Sequence, residues 1–123
     1  MTTSAVFLGT LGLLFTFLPQ EISVRYGVHA GGVILIVVQI AGALCLGFAI
    51  LNWMARGVMI GGIYARPVTL GNFLHFFMVS LAGWRTVAGG TRATEIIAVC
   101  LIYTVFALWF GIVMMTHPAK RTD

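Results

Sequence analysis

The chain has 123 residues, of which 60% are hydrophobic and 8% charged, with a formal net charge of +4 and a mean hydropathy of +1.06. An ordinary soluble domain carries roughly 25% charged residues, so there are too few polar side chains here to cover a surface facing water. The length is that of one domain. The positive charge does not point to nucleic acid, because the seven Lys and Arg are scattered near the ends of apolar runs and no basic cluster or RNA-type aromatic motif accompanies them. That placement fits anionic lipid headgroups and the positive-inside rule, so membrane lipids are the expected partners and nucleic acid is not.

Four apolar segments follow one another, at about 3–20, 30–55, 68–84 and 95–116, against the ~20 residues that a spanning helix needs. The expected architecture is an all-α integral membrane protein, a single domain over 1–123 with four transmembrane helices in a compact bundle. The first segment lacks a basic n-region and a small-residue cleavage site, so it reads as a retained membrane helix rather than a signal peptide. It ends at Pro19. Ala5, Gly9, Gly12 and Thr16 fall on one of its sides, and small residues at that spacing let helix backbones approach closely.

The second segment gathers Gln39, Gly42, Cys45, Ala49, Asn52 and Arg56 on one strip, leaving Ile40, Leu44, Phe48 and Leu51 on the other. In the third, Gly71, Asn72, His75, Val79 and Ala82 form the small or polar strip, and Phe73, Phe77 and Trp84 point elsewhere, toward lipid. In the fourth, after Gly89, Gly90 and an N-cap at Thr91 or Thr94, the strip is Cys100, Tyr103, Thr104, Ala107 and Gly111. Gly9, Gly12, Gln39, Gly42, Ala49 and Gly111 are thus the candidate helix-packing residues. Cys45 and Cys100 lie inside apolar runs without a CxxC partner and read as packing residues.

An even number of spans puts both ends of the chain on one side, with Arg56, Arg66, Lys120 and Arg121, against Arg25, Arg85 and Arg92 on the other. Four cations against three favours both ends in the cytoplasm.

The connector "NWMARGVMIGGIYARP", Asn52 to Pro67, mixes arginines, glycines and apolar residues. With the next helix it brings Asn52, Arg56, Arg66, Asn72 and His75 toward one membrane surface, and these five form the candidate lipid, anion or partner site. Arginines supply bidentate charge-assisted bonds, and glycines let backbone N–H groups approach a phosphate. The plainer alternative for His75 is an imidazole bonded to Asn52, a tyrosine or a backbone carbonyl, and for the arginines a topology signal. No HxxxH, HExxH or CxxC spacing supports a metal, and no cofactor is expected beyond a bound lipid or quinone. No nucleophile, base and orienting group recur together, so no catalytic residue is assigned.

Glu21 and Glu95 sit at helix ends, whereas a proton- or cation-coupled carrier wants a carboxylate within the bilayer. The chain resembles small multidrug-resistance transporters in size and helix count but lacks their embedded glutamate in the first helix. The stretch "IAGALCLGFAILNWMARGVMIGGIYARPVTLGNFLHFF", Ile40 to Phe77, resembles small four-helix bacterial inner-membrane proteins of a DoxX-like kind. The matching residues are Gly42, Gly47, Ala49, Leu51, Asn52, Trp53, Gly61, Gly62, Tyr64, Arg66, Pro67, Asn72, His75 and Phe76. The resemblance implies that the five polar groups belong to one unit. Some DoxX-like proteins accompany quinone-linked oxidoreductases as membrane subunits, but the resemblance transfers no activity to this chain.

The functional expectation is therefore a non-catalytic membrane protein acting by association with other integral membrane subunits or with itself. It would be an accessory or structural subunit of a larger complex, or a lipid- or quinone-binding element. A small oligomeric transporter or channel is the alternative.

Overall fold

Pro19 breaks the first apolar segment into two helices. In the structure, a computed structural model that describes residues 1–27, 31–57, 65–90 and 93–115, α1 (Thr2–Phe17) ends at Leu18 and α2 (Pro19–Arg25) begins with the proline at its first position, where a missing N–H costs no helical bond. The two axes are bent by 90°. The expected continuous helix over 3–20 is thus an α1 of 16 residues and a short α2, with Glu21 in the first turn of α2 and Arg25 in its last, each complementing the helix dipole.

The chain continues with α3 (Gly32–Met54), a single 3₁₀ turn at Ala55–Gly57, α4 (Ala65–Ala88) and α5 (Thr94–Met115). Among the described residues the protein is all helical. Of the helices in the described residues, two are long and apolar enough to cross a membrane, over Gly32–Gly57 and Thr94–Met115, and the bent pair α1 and α2 would make a third if taken as one span. With its 24 residues α4 has the length for a span, but Thr69, Asn72, His75 and Ser80 lie in its interior and Arg66 and Arg85 in its end turns, and it does not reach the same apolarity. The glycine-bearing connector with Gly61, Gly62 and Tyr64 lies outside the described residues, as do His29, Thr91, Arg92, His117, Lys120 and Arg121.

The helices fall into two compact units, Met1–Gly57 and Val58–Asp123. In the first, α1 packs antiparallel on α3. Asn52 lies beside Ser4, Ala49 beside Gly9, Gly42 beside Gly12, and Gln39 beside Thr16. The buried positions of α3 are Gly42, Cys45, Ala49 and Asn52, spaced by three and four residues as one helix face requires. Ile40, Leu44 and Leu51 are exposed on the opposite side, as their spacing predicts. The crossing is tightest at the glycines. A Cβ on Gly42 would lie 2.5 Å from Thr16 Oγ1 and 2.7 Å from the Thr16 backbone nitrogen, and one on Gly12 would lie 2.9 Å from the Gly42 carbonyl oxygen.

In the second unit α4 packs on α5 through aromatic rings. The Phe76 ring is fully buried and stands 4.8 Å from that of Phe106, 5.3 Å from Tyr103 and 5.7 Å from Phe110. Such pairs contribute about 0.5–1.5 kcal/mol each beyond area burial. Gly83 lies against the Cys100 thiol, and Gly111 against the Phe73 ring.

The buried strip of α4 is therefore Ala65, Thr69, Asn72, Phe76 and Ser80, not the strip ending in Val79 and Ala82, both of which are exposed. Trp84 does not simply face lipid either: its indole Nε1 donates to Thr104 Oγ1 at 2.9 Å, and Thr104 Oγ1 donates in turn to the Cys100 carbonyl at 2.7 Å.

Two substitutions separate close packing from general crowding. Gly42→Val should lower the stability of the folded chain in detergent by about 1–3 kcal/mol, because the obstructing atoms include backbone. Gly47→Val, at a site with nothing within 4 Å of the new Cβ, should stay within about 0.5 kcal/mol of the parent. Both are read from unfolding curves followed by far-UV circular dichroism in mixed micelles, and equal effects would refute the assignment of the crossing. A double-mutant cycle of Trp84→Phe with Thr104→Val in the same assay should give a coupling of about 0.6 kcal/mol, the usual size of a side-chain hydrogen bond between membrane helices.

Candidate functional site

The five candidate polar residues are divided between the two units. Asn52 and Arg56 belong to Met1–Gly57, while Arg66, Asn72 and His75 belong to Val58–Asp123.

Asn52 and Arg56 are one turn apart yet differ in environment. Asn52 is fully buried, and its Nδ2 donates to Ser4 Oγ at 3.3 Å; Ser4 Oγ donates to the Met1 carbonyl at 2.7 Å. The amide is thus part of the α1–α3 contact. Arg56 is exposed in the 3₁₀ turn. Its guanidinium carbon lies 4.1 Å from the Trp53 ring centroid, and its Nη1 donates to the Trp53 carbonyl at 3.0 Å. The stacked ring holds the guanidinium in place through a cation–π contact, and an arginine with one N–H so engaged keeps four others for an anion.

In the second unit Arg66 is exposed in the first turn of α4. Asn72 is fully buried and donates through Nδ2 to the Val68 carbonyl at 2.8 Å, a bond back to its own helix. The half-buried His75 ring has its centroid 5.3 Å from that of Phe76 and 5.8 Å from that of Tyr103. Asn72 and His75 do lie one turn apart, as their spacing requires, but the histidine sits against aromatic rings. No group of three or more His, Cys, Asp or Glu is placed to hold a metal ion among the described residues. Cys45 and Cys100 are both buried.

The remaining packing candidates fall along the α1–α3 crossing and α5. Gly9 faces Ala49, with 3.7 Å between a Cβ built on Gly9 and the alanine Cβ. Gln39 is exposed and reaches the Thr16 carbonyl through Nε2 at 3.5 Å.

Sequence reasoning did not anticipate two apolar grooves. One, of about 450 Å³, runs between α4 and α5, with Phe73, Phe77 and Trp84 on one wall and Ala107, Leu108 and Gly111 on the other. Phe73 and Phe77 stack with centroids 5.5 Å apart, and their i,i+4 spacing was the available signal. The second, of about 340 Å³, lies between α1 and α3 over Gly9 and Ala49 and ends at Trp53. Its signal was the run of small residues on both helices, here bounded by large side chains.

Both grooves are lined almost wholly by apolar atoms and contain no carboxylate, imidazole or thiol, so they suit a hydrocarbon chain, an aromatic ring or another helix. No protein family model matches this chain, and no curated protein or solved structure matches it either.

Proposed function

We propose that the chain is a four-span helical protein of the bacterial cytoplasmic membrane that works by association, without catalysis of its own, as an accessory subunit of a larger membrane assembly or as a lipid- or quinone-binding element. The main support is the surface of the two most apolar helices. Only 17% of the span window in Gly32–Gly57 and 22% of that in Thr94–Met115 is buried within the chain. Ile36, Ile40 and Leu44 on α3, with Val105, Leu108 and Ile112 on α5, are left exposed. Surface of that kind is at home against lipid tails or neighbouring helices.

The α4–α5 groove adds shape to that surface. Its aromatic wall of Phe73, Phe77 and Trp84 suits a partner's side chains or a quinone ring, since aromatic groups stack with offset geometry. The charged groups fit the same reading. Glu21 and Glu95 lie in the first turns of their helices, which suits the helix dipole and, among the described residues, leaves no carboxylate in a helix interior for coupled transport. Arg56 and Arg66, both exposed at helix ends, suit contact with headgroup phosphates.

Two measurements test the proposal. Reporter tags fused to the two ends of the chain should both report the cytoplasmic side; tags on opposite sides would remove α4 from the spans and leave three. Purification in a gentle detergent should bring down at least one other integral membrane protein in fixed ratio, or a quinone in the extracted lipid. Emergence as a lone monomer with no specific lipid, quinone or protein would overturn the association role.

A further inference from the structure

The groove between α1 and α3 has a charged end. Gly9 and Ala49 form its floor, Val6, Leu13, Leu46 and Ile50 its sides, and Trp53 closes it. Val6, Leu13, Ile50 and Trp53 are each about half exposed or more, so no described residue of Met1–Gly57 covers the groove. From Leu46 to Trp53, and from Val6 to Leu13, it runs for two helical turns, about 10 Å along the helix axes. At the Trp53 end the Arg56 guanidinium is stacked 4.1 Å from the ring centroid. The only carboxylate of Met1–Gly57 is Glu21, which lies on α2, beyond the other end of α1. The Arg56 end of this helix pair is therefore positive, with no acid of its own unit beside it.

We propose that this groove binds one acyl chain of an anionic phospholipid whose phosphate is held by Arg56. The tail lies over Gly9 and Ala49, where the missing side chains leave room for it. Trp53 marks the depth of the headgroup, because an indole prefers the membrane interface. The headgroup is anionic because a guanidinium held in place with N–H groups to spare, and with no acid of its own unit beside it, favours a partner of net negative charge. A second copy of the chain is a poorer occupant. A two-fold contact through this face would bring two Arg56 side chains to the same depth beside one another, with no carboxylate of that unit between them.

The inference rests on the membrane embedding proposed above, though not on any protein partner. The test uses the full chain reconstituted in nanodiscs of equal parts phosphatidylglycerol and phosphatidylcholine, released into a mass spectrometer under non-denaturing conditions. Retained phosphatidylglycerol should exceed phosphatidylcholine by about five-fold, the effect of one cation near the membrane surface.

In Arg56→Gln that ratio should fall to near one, and in Arg56→Lys it should persist in part. Val6→Trp, which fills the groove from an exposed rim position, should reduce retention of both lipids. Both sites are exposed, and retained helical circular dichroism shows that the three variants fold. A parent ratio equal to that of the bilayer, a ratio unmoved by Arg56→Gln, or a dimer mass lost in Val6→Trp would each overturn the site while leaving the membrane reading intact. Failure of the chain to enter nanodiscs at all would overturn both.

Discussion

Close approach of backbones at Gly12 and Gly42 is the constraint on which the first unit depends. Between helices in hydrocarbon there is no gain from hiding apolar surface, because the lipid tail is as apolar as a leucine, and association rests on fit and on hydrogen bonds. Once the Gly42 carbonyl lies against Gly12, the antiparallel register is set along the rest of the pair. Gly9 then meets Ala49, Asn52 comes within reach of Ser4, and Gln39 comes within reach of Thr16. A slip by one turn would separate all of these together. The second unit reaches the same end by the opposite means, with the large Phe76 ring inserted among Tyr103, Phe106 and Phe110 and small residues at Gly83 and Gly111 to admit their neighbours.

The hydroxyl groups follow a second rule. Thr10, Ser23, Thr69, Thr86 and Thr104 each donate to the carbonyl four residues earlier, and Ser4 and Ser80 to the one three residues earlier. A donor satisfied on its own helix costs little in an apolar environment and asks nothing of a neighbour. This is how α4 can carry several polar residues in its interior without those residues marking a water-filled route. The indole of Trp84 is different, since it bonds across to α5 and so ties the two helices at a chosen rotation.

Much of the helical arrangement was legible in the chain. The apolar runs mark α1, α3, α4 and α5, and the small-residue strip on α3 is the face it buries, because a helix whose partner is another run of small residues can be read one helix at a time. The face of α4 was not legible for the opposite reason. Ranking its residues by size and polarity puts Val79 and Ala82 inside and does not pick out Phe76, whereas α5 presents Tyr103 and Phe110 and so rewards an aromatic ring at the contact. That information lies in the partner, not in α4. The 90° bend at Leu18 was half legible: Pro19 announces the end of α1, but a proline that stops one helix is equally suited to open the next.

The polar constellation shows why residue type alone does not mark a site. Asn52 and Asn72 attract attention as amides among apolar residues, yet each has a donor committed within the fold, one to Ser4 and one to the Val68 carbonyl. Arg56 looks ordinary in the sequence, a cation at the end of an apolar run. It nevertheless keeps donors to spare, and a tryptophan fixes its position. Binding capacity follows uncommitted donors held in place beside a surface that a ligand can cover. Along α1 and α3 that condition is met where the glycine and alanine floor of the groove ends at Trp53. The small residues that allow the two helices to approach thus also leave the space that a lipid tail can fill.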